Sequence, residues 1–466
     1  MSSPNAPNLR WNQGITRYQW LVLSIGSLGW IFDVFEGQIF VASMRDAMPA
    51  LLGVGPDDVA VTKWNEWAFG AFLLGGAIGG IFFGALSDKI GRSKTMIITI
   101  LVYSLFTCFS AFSQEGWHMV LFRFLVAMGV GGEWAVASAM VAEVMPTRSR
   151  PIMSSIFHAS SVFGTLLAAA TIALLIGNPD VNAWFATKGI EGWRVGFFIG
   201  VLPALLTVWI RWKLSEPESW KKAKEREKEG KEQATGRIRD LFNRDHRRST
   251  MIGVSLATIG LVTFWGCHIY GKNALLRQAQ NDIIVSAQMI DSSPEEKSEF
   301  LALPENKATV KRAEMLSMAI NTIGGGLGLV LFGWVSQKIG RKGAFIFYHA
   351  MGFITIILLF KVLIPGGASQ WVLGLFLPIF GFFTLGMHAG YAVYFPELYP
   401  TRLRGTGTGF CFNAGRLGTA AAFFGFGAMA IPPSPDEKAL MLSPLYLLGI
   451  VVVLMARETR NTELME

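Results

Sequence analysis

The chain has 466 residues, 52% of them hydrophobic, 16% charged and 12% aromatic, with a mean hydropathy of +0.41 and a formal net charge of +8. Soluble domains carry roughly 25% charged and 45–50% apolar residues, so the balance here excludes a soluble enzyme, a disordered chain and a secreted disulfide scaffold. The three cysteines, Cys108, Cys267 and Cys411, all lie inside apolar blocks and suggest neither a disulfide framework nor a zinc site.

A helix crossing the hydrocarbon core needs about 20 apolar residues. Twelve blocks meet that length, at about 18–41, 64–87, 95–113, 117–143, 150–176, 193–214, 250–272, 313–337, 343–364, 371–396, 404–431 and 439–456. The blocks are too long for strands and lack their alternation. The fold class is therefore an all-α membrane protein of twelve spans. The polar N-terminus and the lack of a small-residue cleavage pattern make the first block a retained span rather than a signal peptide.

Basic residues gather on one side. Lys89, Arg92 and Lys94 follow span 2, Arg148 and Arg150 follow span 4, and Lys338, Arg341 and Lys342 follow span 8. Arg402 and Arg404 follow span 10, and Arg457 and Arg460 follow span 12. The positive-inside rule makes these loops and both termini cytoplasmic, in a cell membrane. The resulting order is a tail (1–17), a first six-helix bundle (18–214), a charged cytoplasmic linker (215–249), a second bundle (250–456) and a short tail (457–466). Residues Lys221–Glu232 read as a solvated helix in the linker. An insertion at about 273–312 is expected outside, its start extending span 7 as helix.

The chain repeats itself. Gly84-Ala-Leu-Ser-Asp-Lys-Ile-Gly-Arg92 is echoed by Gly333-Trp-Val-Ser-Gln-Lys-Ile-Gly-Arg341. Likewise Glu143-Val-Met-Pro-Thr-Arg-Ser-Arg150 is echoed by Glu397-Leu-Tyr-Pro-Thr-Arg-Leu-Arg404. Both offsets are about 250 residues, which implies two parallel six-helix repeats with a substrate site at their interface.

In these motifs the sequence resembles the major facilitator superfamily over nearly its whole length, Gly84-x-x-x-Asp88-x-x-Gly91-Arg92 being similar to that family's loop 2–3 signature. Gly131-Gly-Glu-Trp134, Ser215-Glu-Pro-Glu-Ser-Trp220 and Glu458-Thr-Arg-Asn-Thr-Glu-Leu464 resemble its sugar-and-organic-acid branch. Phe32-Asp33-x-x-Glu36 looks most like the sialate, aromatic-acid and metabolite proton symporters. Span 7 lacks the paired glutamines of the sugar porters, and span 5 lacks the Gly-Pro pair of drug antiporters. The resemblance implies a conformational lock of Asp88, Arg92, Glu143, Arg148, Arg341, Glu397 and Arg402 on the cytoplasmic side. Physically, Arg92 and Arg341 can bridge to Glu143 and Glu397, and Asp88 suits the positive N-terminal end of span 11. Gly91 and Gly340 suit tight turns.

A charge at a helix centre costs on the order of 2.5–3.5 kcal/mol on insertion scales, so ionisable residues inside spans carry a functional expectation. Asp33 and Glu36 share one face of span 1, opposite Arg123 of span 4, and offer a protonation switch or a static ion pair. Glu133 and His158 match in depth, which puts a contact between them within geometric reach; His158 is either a proton carrier or a hydrogen-bonding core residue. Arg416 and Asn413 share a face of span 11, and Arg416 lacks an acid in its own half. Either it receives a substrate carboxylate, or it pairs with Asp33, Glu36 or Glu133. His268, Asn321, His388 and Tyr391 complete the candidate substrate ligands, with Arg123.

The reading is a monomeric proton symporter importing a small organic acid by alternating access, without cofactor, metal or nucleic-acid partner. The alternatives are a sugar or polyol symporter of the same family and a non-transporting nutrient sensor. No activated nucleophile or phosphate-binding loop favours an enzyme.

Overall fold

The computed structural model describes residues 10–55, 58–171, 174–175, 179–199, 202, 209–210, 213–231, 233–427 and 434–465. The described residues are helical with no strand. Parts of predicted spans 5, 6 and 11 and of the N-terminal tail lie outside them. Span 1 is the helix Arg17–Leu52, opened by a Thr16–Gln19 capping box and closed by Gly53 in the left-handed conformation (φ 65°). Spans 2, 3 and 4 are Val59–Ile90, Arg92–Ser110 and Gly116–Val144. Span 5 runs as Arg150–Ala159 and Ser161–Thr171, and Gly192–Ile199 begins span 6.

Span 7 starts at Arg247–Thr263 and then widens into a π-helical turn, Phe264–His268, before Ile269–Gly271. The expected extension is present as the helix Ala274–Ser286, and the insertion holds a second helix, Pro294–Ala302. Spans 8 and 9 run on as Pro304–Ile357, broken at Gly340 (φ 85°, ψ 167°). Gly91, its counterpart in the first repeat, has φ 113°. Both repeats thus turn on a backbone conformation that a side chain would strain. Span 10 is Gln370–Gly386 with Ala389–Tyr394, span 11 is Arg404–Gly427, and span 12 is Pro444–Met455. By length and apolarity alone, nine helical stretches among the described residues can cross a membrane, spans 8 and 9 counting there as one.

The chain forms two compact units. The first holds residues up to Thr258 with Tyr391–Ala421 and the C-terminal residues from Arg457. Within it, spans 2 and 4 touch backbone to backbone: a Cβ at Gly75 would strike the Phe124 carbonyl, and one at Gly79 the Met128 carbonyl. Spans 2 and 11 approach in the same way, Gly84 against Gly405 and Gly80 against Gly409. Small residues allow this contact where lipid supplies no hydrophobic drive between helices.

The second unit is Ile259–Gly390 with Ala422–Ala456. There Gly324 meets the Pro378 carbonyl and Gly328 the Phe382 carbonyl. These contacts repeat Gly75–Phe124 and Gly79–Met128 at the offsets of the sequence repeat. Ser87 and Ser336 repeat too, donating to the carbonyls of Gly84 (2.8 Å) and Gly333 (3.0 Å). The duplication read in the loops therefore extends into how the helices pack.

Candidate functional site

The first unit carries a buried charge cluster where spans 2, 4 and 11 end. Arg92 donates from Nη1 to Asp88 (2.5 Å) and from Nη2 to Glu143 (2.8 Å). Arg404 donates to the same Glu143 oxygen at 2.9 Å. Asp88 in turn accepts from the N–H groups of Gly405 (3.1 Å) and Thr406 (2.7 Å), and from the Thr406 hydroxyl (2.5 Å). The carboxylate thus caps span 11, whose first turn has free N–H groups and a positive dipole end. Glu216 caps span 3 likewise, accepting from the N–H of Arg92 (2.6 Å) and Ser93 (3.1 Å). Trp220 Nε1 donates to the Asp88 carbonyl at 2.9 Å, so the Ser215–Trp220 motif braces loop 2–3.

The repeated Glu and Arg residues trade partners between copies. Glu143 of the first copy takes Arg404 of the second, and Arg150 of the first faces Glu397 of the second at 4.0 Å. Glu397 also accepts from the Thr459 hydroxyl (2.6 Å). Arg341 donates to the Ser336 carbonyl (3.1 Å). Arg148 donates to the Gln13 carbonyl, and Arg402 pairs with Asp240 at 2.6 Å, so these two tie the N-terminal segment and the linker to the cluster's edge. Arg404 and Glu216 lie in motifs the sequence singles out but are not among its candidate lock residues. The signal for Arg404 was its position as the repeat mate of Arg150.

Inside span 1 the two acids part company. Glu36 pairs with Arg123 and accepts from the Thr107 hydroxyl (3.0 Å). Arg123 also donates to Ser110 (2.8 Å), and its guanidinium lies between the rings of Phe40 (4.7 Å) and Phe197 (5.2 Å). Asp33, only 2% exposed, does not share this pair: neither of its carboxylate oxygens has a hydrogen-bond partner among the described residues. Residues three apart on a helix differ by about 60° in direction, enough to give Asp33 a different neighbourhood. The groups acting on it electrostatically are Glu133, Glu36 and Arg416, with Tyr103 beside it.

Glu133 accepts from the Thr99 hydroxyl (2.8 Å), and its other oxygen lies over Gly29, whose missing side chain makes the room. The contact of Glu133 with His158 that their matching depths allow is not the one made. His158 Nδ1 accepts from Trp134 Nε1 at 3.0 Å, and its ring stacks on Trp30. The indole beside Glu133 in sequence, rather than the carboxylate, is directed at the imidazole.

On span 11, Asn413 and Arg416 face span 2. A Cβ at Gly76 would collide with the Arg416 guanidinium, and one at Gly80 with the Asn413 amide. Gly76 and Gly80 thus make space for these two polar groups. Asn413 donates to the Gly409 carbonyl (2.9 Å), while its Oδ1 has no hydrogen-bond partner among the described residues. Arg416 lies 5.7 Å from the Phe412 ring, which stacks on Trp134 at 4.0 Å. Among the described residues no carboxylate comes within the 4.0 Å of an ion pair with Arg416. Tyr391 donates to the Leu256 carbonyl (3.2 Å) and lies near Phe412.

The second unit gathers the other polar candidates. His268, placed by the π-helical turn, contacts Thr384 through Nδ1 (2.8 Å) and Asn321 through Nε2 (3.3 Å). The Thr384 hydroxyl already donates to the Phe380 carbonyl (2.6 Å), so it accepts from His268 Nδ1–H, and Nε2 accepts from Asn321. Phe264 and Phe380 stack on the imidazole, and His388 meets Phe264 edge-on at 5.2 Å. No group of His, Cys, Asp or Glu suited to a metal occurs among the described residues.

The sialic acid transporter NanX of Escherichia coli is 27% identical to this chain, over 88% of it and 87% of NanX. The cis,cis-muconate transport protein of Acinetobacter baylyi is 27% identical over 84% of each chain. Among solved structures, the proton:xylose symporter XylE superposes with a TM-score of 0.71 at 17% identity, covering 96% of this chain and 98% of that one, and so shares the fold. The Major Facilitator Superfamily model matches residues 39–423. The chain is a multi-pass membrane transporter, not an enzyme, and belongs to the Major Facilitator Superfamily.

Proposed function

We propose that the chain imports a small organic acid by proton symport, Arg416 and Asn413 receiving the substrate carboxylate and Asp33, with Glu133, carrying the proton. The observation behind this reading is the relation of Asp33 to Arg416. The two opposite charges act on each other, yet neither is taken up in an ion pair among the described residues. An arginine kept available in a span is suited to a carboxylate, which its planar fork binds bidentately. Protonation of Asp33 removes the competing anion and leaves Arg416 to the substrate. Glu36, held by Arg123 and Thr107, is the fixed acid of span 1 and leaves the proton to Asp33.

Two six-helix bundles, 18–214 and 250–456, provide alternating access in a monomer whose termini face the cytoplasm of the cell. The Asp88–Arg92–Glu143–Arg404 cluster holds the cytoplasmic side closed between turnovers. NanX and the muconate protein are named for sialic acid and cis,cis-muconate, both carboxylates, which supports the acid reading over a sugar. Equilibrium binding to purified protein tests it. Sialic acid, muconate or an aromatic monocarboxylate should bind, xylose should not, and Arg416→Gln should weaken acid binding at least tenfold. Xylose binding that ignores Arg416 would move the assignment to a sugar carrier.

A further inference from the structure

We propose that the segment 237–248, which leads into the first residues of span 7, is a binding surface for the head groups of anionic phospholipids. This rests on the chain being a multi-pass membrane protein and not on its substrate. The 3₁₀ turn Ile238–Phe242 sorts its side chains by chemistry. Asp240 and Leu241 point inward, Asp240 to its ion pair with Arg402 (2.6 Å), and the Leu241 carbonyl accepts from Thr250 (2.8 Å). Gly236 N–H donates to the Arg402 carbonyl (3.0 Å), so the turn is fixed at both ends. What remains outside is basic and apolar: Arg237, Arg239, Arg244, Arg247 and Arg248 are exposed, with Asp245 as the one exposed acid of the segment.

Among them stand Ile238 (37% exposed) and Phe242 (53%), and one turn into span 7 stands Met251 (67%). Arginine forks match phosphate oxygens, and the neighbouring apolar side chains match the acyl region beneath a head group. Topological charge bias alone requires neither the inward-turned acid nor the exposed ring. The linker helix Glu218–Lys228 makes the contrast: its exposed Lys221, Lys222, Arg226 and Lys228 are interspersed with exposed Glu218 and Glu225, which halves the positive excess relative to 237–248. It is therefore the internal control.

Native mass spectrometry of the full-length protein, offered equal phosphatidylglycerol and phosphatidylethanolamine, reads the preference directly. Wild type should retain phosphatidylglycerol in excess. R237Q/R239Q/R244Q should lower the retained ratio at least tenfold, as basic residues at an anionic surface each contribute several-fold. R237K/R239K/R244K should keep most of it, and K221Q/K222Q/K228Q should stay within about twofold of wild type. If the glutamine triple variant does not fold, R244Q alone should still lower the ratio several-fold. An arginine variant that folds and keeps the wild-type ratio overturns the proposal, as does an equal loss in the lysine variant. Neither result depends on which substrate is carried.

Discussion

Asp88 caps span 11 through Thr406, accepting from its N–H at 2.7 Å and from its hydroxyl at 2.5 Å, while also receiving Arg92 at 2.5 Å. One carboxylate thus joins the ends of two spans, which the proposed alternating-access cycle requires to separate. Asp88→Asn keeps the shape but loses charge-assisted bonding, which is about twice as strong as neutral bonding. Turnover in proteoliposomes should fall at least tenfold, about 1.4 kcal/mol in barrier height, with substrate affinity within about twofold of wild type. Slower turnover means that the closed state must form for the cycle to proceed. Unchanged turnover removes Asp88 from the lock.

Gly75 and Gly76 are neighbours in sequence with opposite duties. A Cβ at Gly75 strikes the backbone of Phe124, whereas one at Gly76 strikes only the mobile end of Arg416. Gly75→Ala should lower the melting temperature, since overpacking costs about 1–3 kcal/mol. Gly76→Ala should melt like wild type and raise KM for the acid several-fold by displacing the guanidinium. The reverse pattern would place Arg416 outside the binding site.

The Arg123–Glu36 pair is buried between Phe40 and Phe197. Breaking a buried pair from one side leaves an uncompensated charge and costs about 3–5 kcal/mol. Arg123→Met should therefore destabilise the detergent-solubilised protein strongly, and Glu36→Gln in the same chain should restore most of the loss. A double-mutant cycle with no coupling would show that the two groups act independently.

His158 accepts the Trp134 N–H. An unsatisfied buried donor costs about 1–3 kcal/mol, so His158→Leu should lower the melting temperature, whereas His158→Asn, which keeps an acceptor near Nδ1, should lower it less. Gradient-driven uptake by His158→Asn should stay within about threefold of wild type. Loss of accumulation with full stability would return His158 to the proton path.

Much of this architecture was legible in the sequence because it is written in long-range patterns. Apolar length marked the spans, and the Gly-Arg and Glu-x-x-Pro-Thr-Arg-x-Arg repeats marked the duplication that Gly75 and Gly324 repeat in packing. Charges in spans marked Asp33, Glu36, Arg123 and Arg416. What spacing could not supply was direction. Asp33 and Glu36 share a helix face but not a partner, and Glu133 matches His158 in depth while the adjacent Trp134 makes the contact. The exchange of Arg404 and Arg150 between Glu143 and Glu397 was equally hidden, since it depends on which copies meet. Glu216 escaped because a carboxylate capping a helix far away in sequence carries no local signature.

Uptake of a labelled organic acid into proteoliposomes under an imposed inward proton gradient, compared between wild type and Asp33→Asn, tests the central claim most directly. Wild type should accumulate the acid above its external concentration and lose that accumulation to a protonophore. Asp33→Asn should still exchange labelled for unlabelled acid but fail to concentrate it. Concentration by Asp33→Asn equal to wild type, or wild-type uptake indifferent to the gradient, would contradict the assignment of the proton to Asp33.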